Sequence, residues 1–78
     1  MKRNEKILKR IGSVCQKHRE HIGATQYDVA KDVGYSPLTI SSFETGRTNN
    51  LIIFLWYLTH GLPLTIIKSL YRGDFNGD

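Results

Sequence analysis

Residues 25–47, TQYDVAKDVGYSPLTISSFETGR, leave little choice of local structure. Thr25 is a good N-cap, and Asp28 follows three residues later, a partial capping-box pattern. A helix is therefore expected from Gln26 to about Val33, with Tyr27, Val29, Ala30 and Val33 supplying its packing residues. Gly34-Tyr35 makes a turn, because glycine enters the left-handed region without a steric penalty. Ser36 then caps a second helix, and Pro37 takes its first position, where a missing N–H costs nothing. Leu38 to Thr45 continues that helix and Gly46 closes it. Ala30 is small enough to let the second helix come close, and Ile40 lies where it can pack back onto it. Thr39, Ser41 and Ser42 are left pointing outward. Two short helices joined by a tight turn form a unit that places a helix in the DNA major groove.

The chain has 78 residues, enough for one domain near the lower limit of a self-sufficient core. Residues 1–73 are read as that domain, with a basic N-terminal segment, and residues 74–78 as a short frayed tail. The lone Cys15 excludes an intrachain disulfide framework and metal spacing of the CxxC kind. It falls on the apolar side of a helix and reads as a small buried hydrophobe. The longest apolar run, Leu51 to Leu58, is too short to span a bilayer, and Lys9 and Arg10 interrupt any signal-peptide pattern. The expected setting is cytoplasmic, with no membrane partner. The net charge is +4. Lys2, Arg3, Lys6, Lys9, Arg10, Lys17 and Arg19 all precede residue 20, which favours a polyanionic partner.

Three further helices are expected. The first runs from about Asn4 to His21, with Ile7, Leu8, Ile11, Val14, Cys15 and His18 on one face and Gly23 as its stop. The fourth covers about Leu51 to His60, and the fifth Leu64 to Tyr71, before Gly73. Arg47 to Asn50 is a polar loop. The expected fold is thus an all-α bundle of five helices.

In this register the chain resembles the Cro/C1-type helix-turn-helix family, the repressors of phages and bacteria. The likeness runs from about Ile11 to Tyr71. It is carried by Ile11-Gly12, Arg19-Glu20 and Gly23, then Thr25-Gln26, Val29-Ala30, Gly34-Tyr35-Ser36, Thr39-Ile40-Ser41 and Phe43-Glu44-Thr45-Gly46-Arg47. The resemblance implies a lambda-repressor-like DNA-binding domain and no catalytic activity. It places Gln26 against the DNA backbone, where it also orients the recognition helix. Arg19 and Glu44 match a charged pair tying the first helix to the third. Arg47, Thr48 and Asn49 would reach phosphates. Ser36, Pro37, Leu38, Thr39 and Ser42 fall on the part of the recognition helix that meets DNA, and Pro37, Leu38 and Ser42 match base-reading positions.

The sequence departs from that pattern at the reading positions. Side chains with bidentate donors and acceptors discriminate base pairs, and the recognition helix has no Gln, Arg, Asn or Lys between Ser36 and Thr45. Direct readout is expected to be thin, with specificity drawn from DNA shape, dimer spacing or the basic N-terminal segment. Leu38 could touch a thymine methyl group, while Thr39 and Ser42 could each make one hydrogen bond. The alternative is that the Pro37-Leu38 face engages a protein, making the chain an antirepressor or modulator that binds a repressor.

The fourth helix, LIIFLWYL, is apolar on every side. Leu51, Phe54, Leu55 and Leu58 form one stripe, and Ile52, Ile53, Trp56 and Tyr57 another. So small a domain covers one face of such a helix more readily than its whole circumference, and a large exposed apolar patch marks an interface. Either the first and fifth helices wrap it as a core helix, or part of it meets a second copy; the second is favoured and a homodimer expected, since relatives of this family often dimerise through their C-terminal helices. The candidates are Ile52, Leu55, Trp56, Ile66, Leu70 and Tyr71. Buried Trp and Tyr would need partners for their polar atoms. No cofactor or metal is expected: His18 and His21 lie three apart on a helix with no matched third ligand, and Ser41 and Ser42 have no evident base partner. Gly12, inside the first helix, is read as a site of close packing.

Overall fold

Side-chain caps set where the central helices begin. The computed structural model describes residues 2–70. Among them are five helices and no strand: α1 (Lys2–His21), α2 (Gln26–Val33), α3 (Pro37–Glu44), α4 (Leu51–Thr59) and α5 (Thr65–Leu70). Thr25 and Asp28 form a complete capping box. Thr25 Oγ1 accepts from the Asp28 N–H at 3.0 Å, and Asp28 Oδ2 accepts from the Thr25 N–H at 2.8 Å. Ser36 Oγ accepts from the Thr39 N–H at 3.2 Å, with Pro37 in the first turn. Asn50, expected only as loop, is the cap of α4 and accepts from the Ile53 N–H at 3.1 Å. Gly34 ends α2 at φ 81°, a left-handed conformation that lets its N–H and that of Tyr35 both return to the Ala30 carbonyl.

The expected helix bounds need small changes. α1 begins at Lys2, α4 ends at Thr59 with His60 as its C-cap, and α5 begins at Thr65 rather than Leu64. Tyr71, Gly73 and the tail 74–78 lie outside the described residues. No helix among the described residues is long and apolar enough to cross a membrane.

The core lies between α1, α2, α3 and α4. Ala30 and Ile40 are both fully enclosed in it, with Val29, Cys15, Ile53 and Tyr57. A smaller cluster joins Ile7 of α1 to Leu70 of α5. α1 meets α3 backbone to backbone. A Cβ built on Gly12 would collide with the Glu44 carbonyl and lie 2.6 Å from the Phe43 carbonyl oxygen. One on Gly46, at the exit of α3, would lie 2.7 Å from the Lys9 Cα.

Burial corrects several assignments. α4 faces the core with Ile53, Trp56 and Tyr57, spaced i, i+3, i+4, and leaves Leu51, Ile52 and Leu55 exposed. Trp56 and Leu70 are buried within this chain and Ile66 packs partly against its core, so Trp56 and Leu70 are removed from the candidate interface. Ile52 and Leu55 remain exposed, and Tyr71 is outside the described residues. Tyr27 was expected to pack, but it stands on the first turn of α2 and is 64 % exposed. Thr39, Ser41 and Ser42, expected to point outward, are half-buried.

Gly12→Ala should therefore destabilise the protein by about 1–3 kcal/mol, because α1 must back away from α3 to admit a methyl group. Ser13→Ala, on the exposed side of α1, should change stability by less than about 0.5 kcal/mol. Urea titration of both variants checks this.

Candidate nucleic-acid interface

The last turn of α3 is anchored by one carboxylate. Glu44 is buried and accepts four hydrogen bonds: from Arg19 Nε at 2.7 Å, Arg19 Nη2 at 3.1 Å, Gln26 Nε2 at 3.1 Å and Tyr57 O–H at 2.5 Å. Arg19 Nη1 donates to the Ala24 carbonyl at 2.9 Å, so the guanidinium also holds the loop before α2. The Arg19–Glu44 pairing is bidentate, the geometry in which an arginine fixes direction as well as distance. The pair expected from the sequence thus has two further members. Gln26 brings in α2. Tyr57 brings in α4 and was not anticipated; a tyrosine in an apolar run gives no sign of the carboxylate it will meet.

α2 is tied to α4 a second time. Trp56 Nε1 donates to Asp32 Oδ2 at 2.8 Å, and the His60 ring stacks on the indole with centroids 3.7 Å apart. His18, weighed as half of a metal pair with His21, donates from Nε2 to the His60 carbonyl at 2.8 Å. Among the described residues no group of three or more His, Cys, Asp or Glu stands together as a metal site.

The opposite, N-terminal end of α3 projects outward. Ser36, Pro37 and Leu38 are exposed, and Leu38 is the most exposed large hydrophobic among the described residues at 76 %. Arg47, Thr48 and Asn49 are exposed just past α3. The contact of Gly46 with Lys9 places a second cation of the basic α1 beside that exit. Gln26 is half-buried, its amide committed to Glu44. Tyr27 and Tyr35 add exposed phenols on α2 and in the turn, and neither was singled out from the sequence as a surface group.

Electrostatics follow from these contacts. The Glu44 hydrogen bond holds the Arg19 guanidinium above its ordinary range, so Arg19 stays charged. Burial, then the bond to Glu44, raises the Tyr57 phenol. Burial, with the Glu44 charge nearby, pushes the Cys15 thiol up to about 12, which leaves it un-ionised and unreactive near neutral pH. The Thr25 N–H holds the Asp28 carboxyl below its ordinary value. Asp28 thus stays anionic at the start of α2 and offsets the attraction that free helix amides offer a phosphate.

No protein-family model, curated protein or solved structure matches the chain.

Cys15 and Tyr57 both have raised values, so each contributes stability that is complete below its unfolded-state value and is withdrawn as pH rises toward the folded one. For Cys15 that window runs from 9.0 to about 12. Stability should fall across it, and Cys15→Ala should flatten the fall while lowering stability at neutral pH through the lost packing. Urea midpoints measured from pH 7 upward give both slopes.

Proposed function

We propose that the chain is a small sequence-specific DNA-binding regulator of transcription, a Cro/C1-like repressor of the helix-turn-helix kind acting in the cytoplasm of a bacterial host cell. The α2–turn–α3 unit is the reading element. The observation that carries this is the asymmetry of α3. Its C-terminal end is bound to three other helices through Glu44, and its N-terminal end is exposed with Leu38 outermost. A helix held rigidly at one end and bare at the other suits insertion into a groove. Arg47 and Lys9 lie beside its exit, where backbone phosphates would run, with Thr48 and Asn49 adding polar contacts. The net charge of +4 agrees with a polyanionic partner.

The protein acts as a homodimer in this reading. Ile52 and Leu55, with Leu51, leave an apolar strip on α4 that a second copy would cover. Two recognition helices would then enter successive major grooves of a near-palindromic operator, about 34 Å apart, and exclude polymerase. A second reading is favoured by one observation, the hydrocarbon tip of α3 with no amide or cation on it: a protein-binding antirepressor or modulator that engages a repressor.

Binding to duplex DNA, followed by fluorescence anisotropy against salt, tests the first reading. Arg47→Ala should weaken binding to all sequences alike and lower the salt slope by about one. Absence of DNA affinity at low salt, with copurification of a repressor, would establish the second reading instead. Ile52→Lys should convert the dimer to a monomer in sedimentation velocity without changing its helical circular dichroism. A wild-type chain that is already monomeric at high concentration overturns the dimer.

A further inference from the structure

α3 presents DNA with almost no hydrogen-bonding vocabulary. Between Ser36 and Thr45 its only charged side chain is Glu44, which is buried and held by Arg19, Gln26 and Tyr57. Two hydroxyls of the first turn are engaged with each other, Ser36 Oγ lying 3.0 Å from Thr39 Oγ1, and Ser36 Oγ also caps the Thr39 N–H. The Thr45 hydroxyl turns back on the carbonyls of Ser41 and Ser42 at 3.0 and 3.2 Å. Ser41 and Ser42 are half-buried behind that turn, and what stands outermost is hydrocarbon: Leu38, 76 % exposed, with the exposed Pro37 ring beside it. An exposed leucine on a surface is ordinary. This one stands on the first turn of a helix whose far end is fixed by a buried carboxylate, so it is aimed.

We propose that α3 selects its site through the C5-methyl group of thymine, with Leu38 as the specificity-determining side chain and Pro37 extending the apolar contact. The inference rests on the DNA-binding reading above. Major-groove base edges consist of hydrogen-bond donors and acceptors apart from one apolar group, the thymine methyl. Leu38 set against a methyl removes hydrocarbon from water on both sides. Set against guanine O6 or the cytosine amino group, it strips a polar atom of water and returns no bond. The same side chain therefore favours thymine and disfavours a G·C pair. It follows that a cytosine methylated at C5 should imitate thymine at that position, since it carries its methyl in the same place.

The experiment starts from duplexes selected by the purified full chain from a random-sequence pool at low salt. Each dT of the selected duplex is then replaced by dU, which removes the methyl alone. At one position in each half-site, dU should weaken wild-type binding about fourfold. Leu38→Ala should bind the dT and dU duplexes equally, and Arg47→Ala should keep the fourfold difference while binding both more weakly. Replacing that dT·dA pair by dC·dG should weaken binding further, and 5-methyl-dC should recover part of the loss. If the wild type tolerates dU at every position, or Leu38→Ala keeps the dU penalty, thymine selection is overturned while DNA binding stands. If no duplex is selected at all, the DNA-binding reading falls with it.

Discussion

The Glu44 carboxylate is where four helices agree on their positions. It sits in the last turn of α3 and gathers donors from α1, α2 and α4 at once. Burying an arginine–glutamate pair is a poor way to gain stability, because the Coulombic attraction is largely offset by the loss of water around both charges. Its value is geometric. A carboxylate fully surrounded by directed donors has one low-energy placement, and every displacement leaves a buried polar atom unsatisfied. Among the described residues no buried side-chain nitrogen or oxygen lacks a partner. The Trp56–Asp32 bond does the same work between α2 and α4, and the His60 ring at the end of α4 stacks on that indole.

The charges are arranged unevenly around this frame. Anionic Asp28 occupies the start of α2, while Lys9 and Arg47 lie at the exit of α3. Attraction for a polyanion is thereby shifted from the first helix of the pair toward the loop behind the second. Tyr27, exposed on the same first turn of α2, and Tyr35, exposed in the turn after it, offer neutral hydroxyl donors in place of cations.

Local structure was legible wherever it depends on local chemistry. Thr25, Gly34, Ser36-Pro37 and Gly46 each act within a few residues of themselves, so the bounds of α2 and α3 follow from the chain alone. The Arg19–Glu44 pair was legible only through resemblance, since its members are 25 residues apart. Tyr57 was not legible, because its role depends on α4 docking with one particular face inward. An all-round apolar helix carries no periodicity to announce that face, which is why Trp56 was read as interface and Leu51 was not singled out. Tyr27 was misread for a related reason: an aromatic on a short helix reads as packing unless the neighbouring elements are known to be elsewhere. Among the proposed DNA contacts, the structure brings Ser36, Pro37, Leu38 and Arg47 to the surface and draws Gln26, Thr39 and Ser42 partly inward.

The closeness of α1 to α3 has one more effect. With Gly12 seated on the carbonyls of Glu44 and Phe43 and Lys9 seated on Gly46, nothing compressible separates the two helices. The long helix cannot slide or tilt unless the short one goes with it. The stretch of α1 backbone that carries Lys9 consequently keeps one placement relative to α3, and any surface that meets both helices must accept that placement.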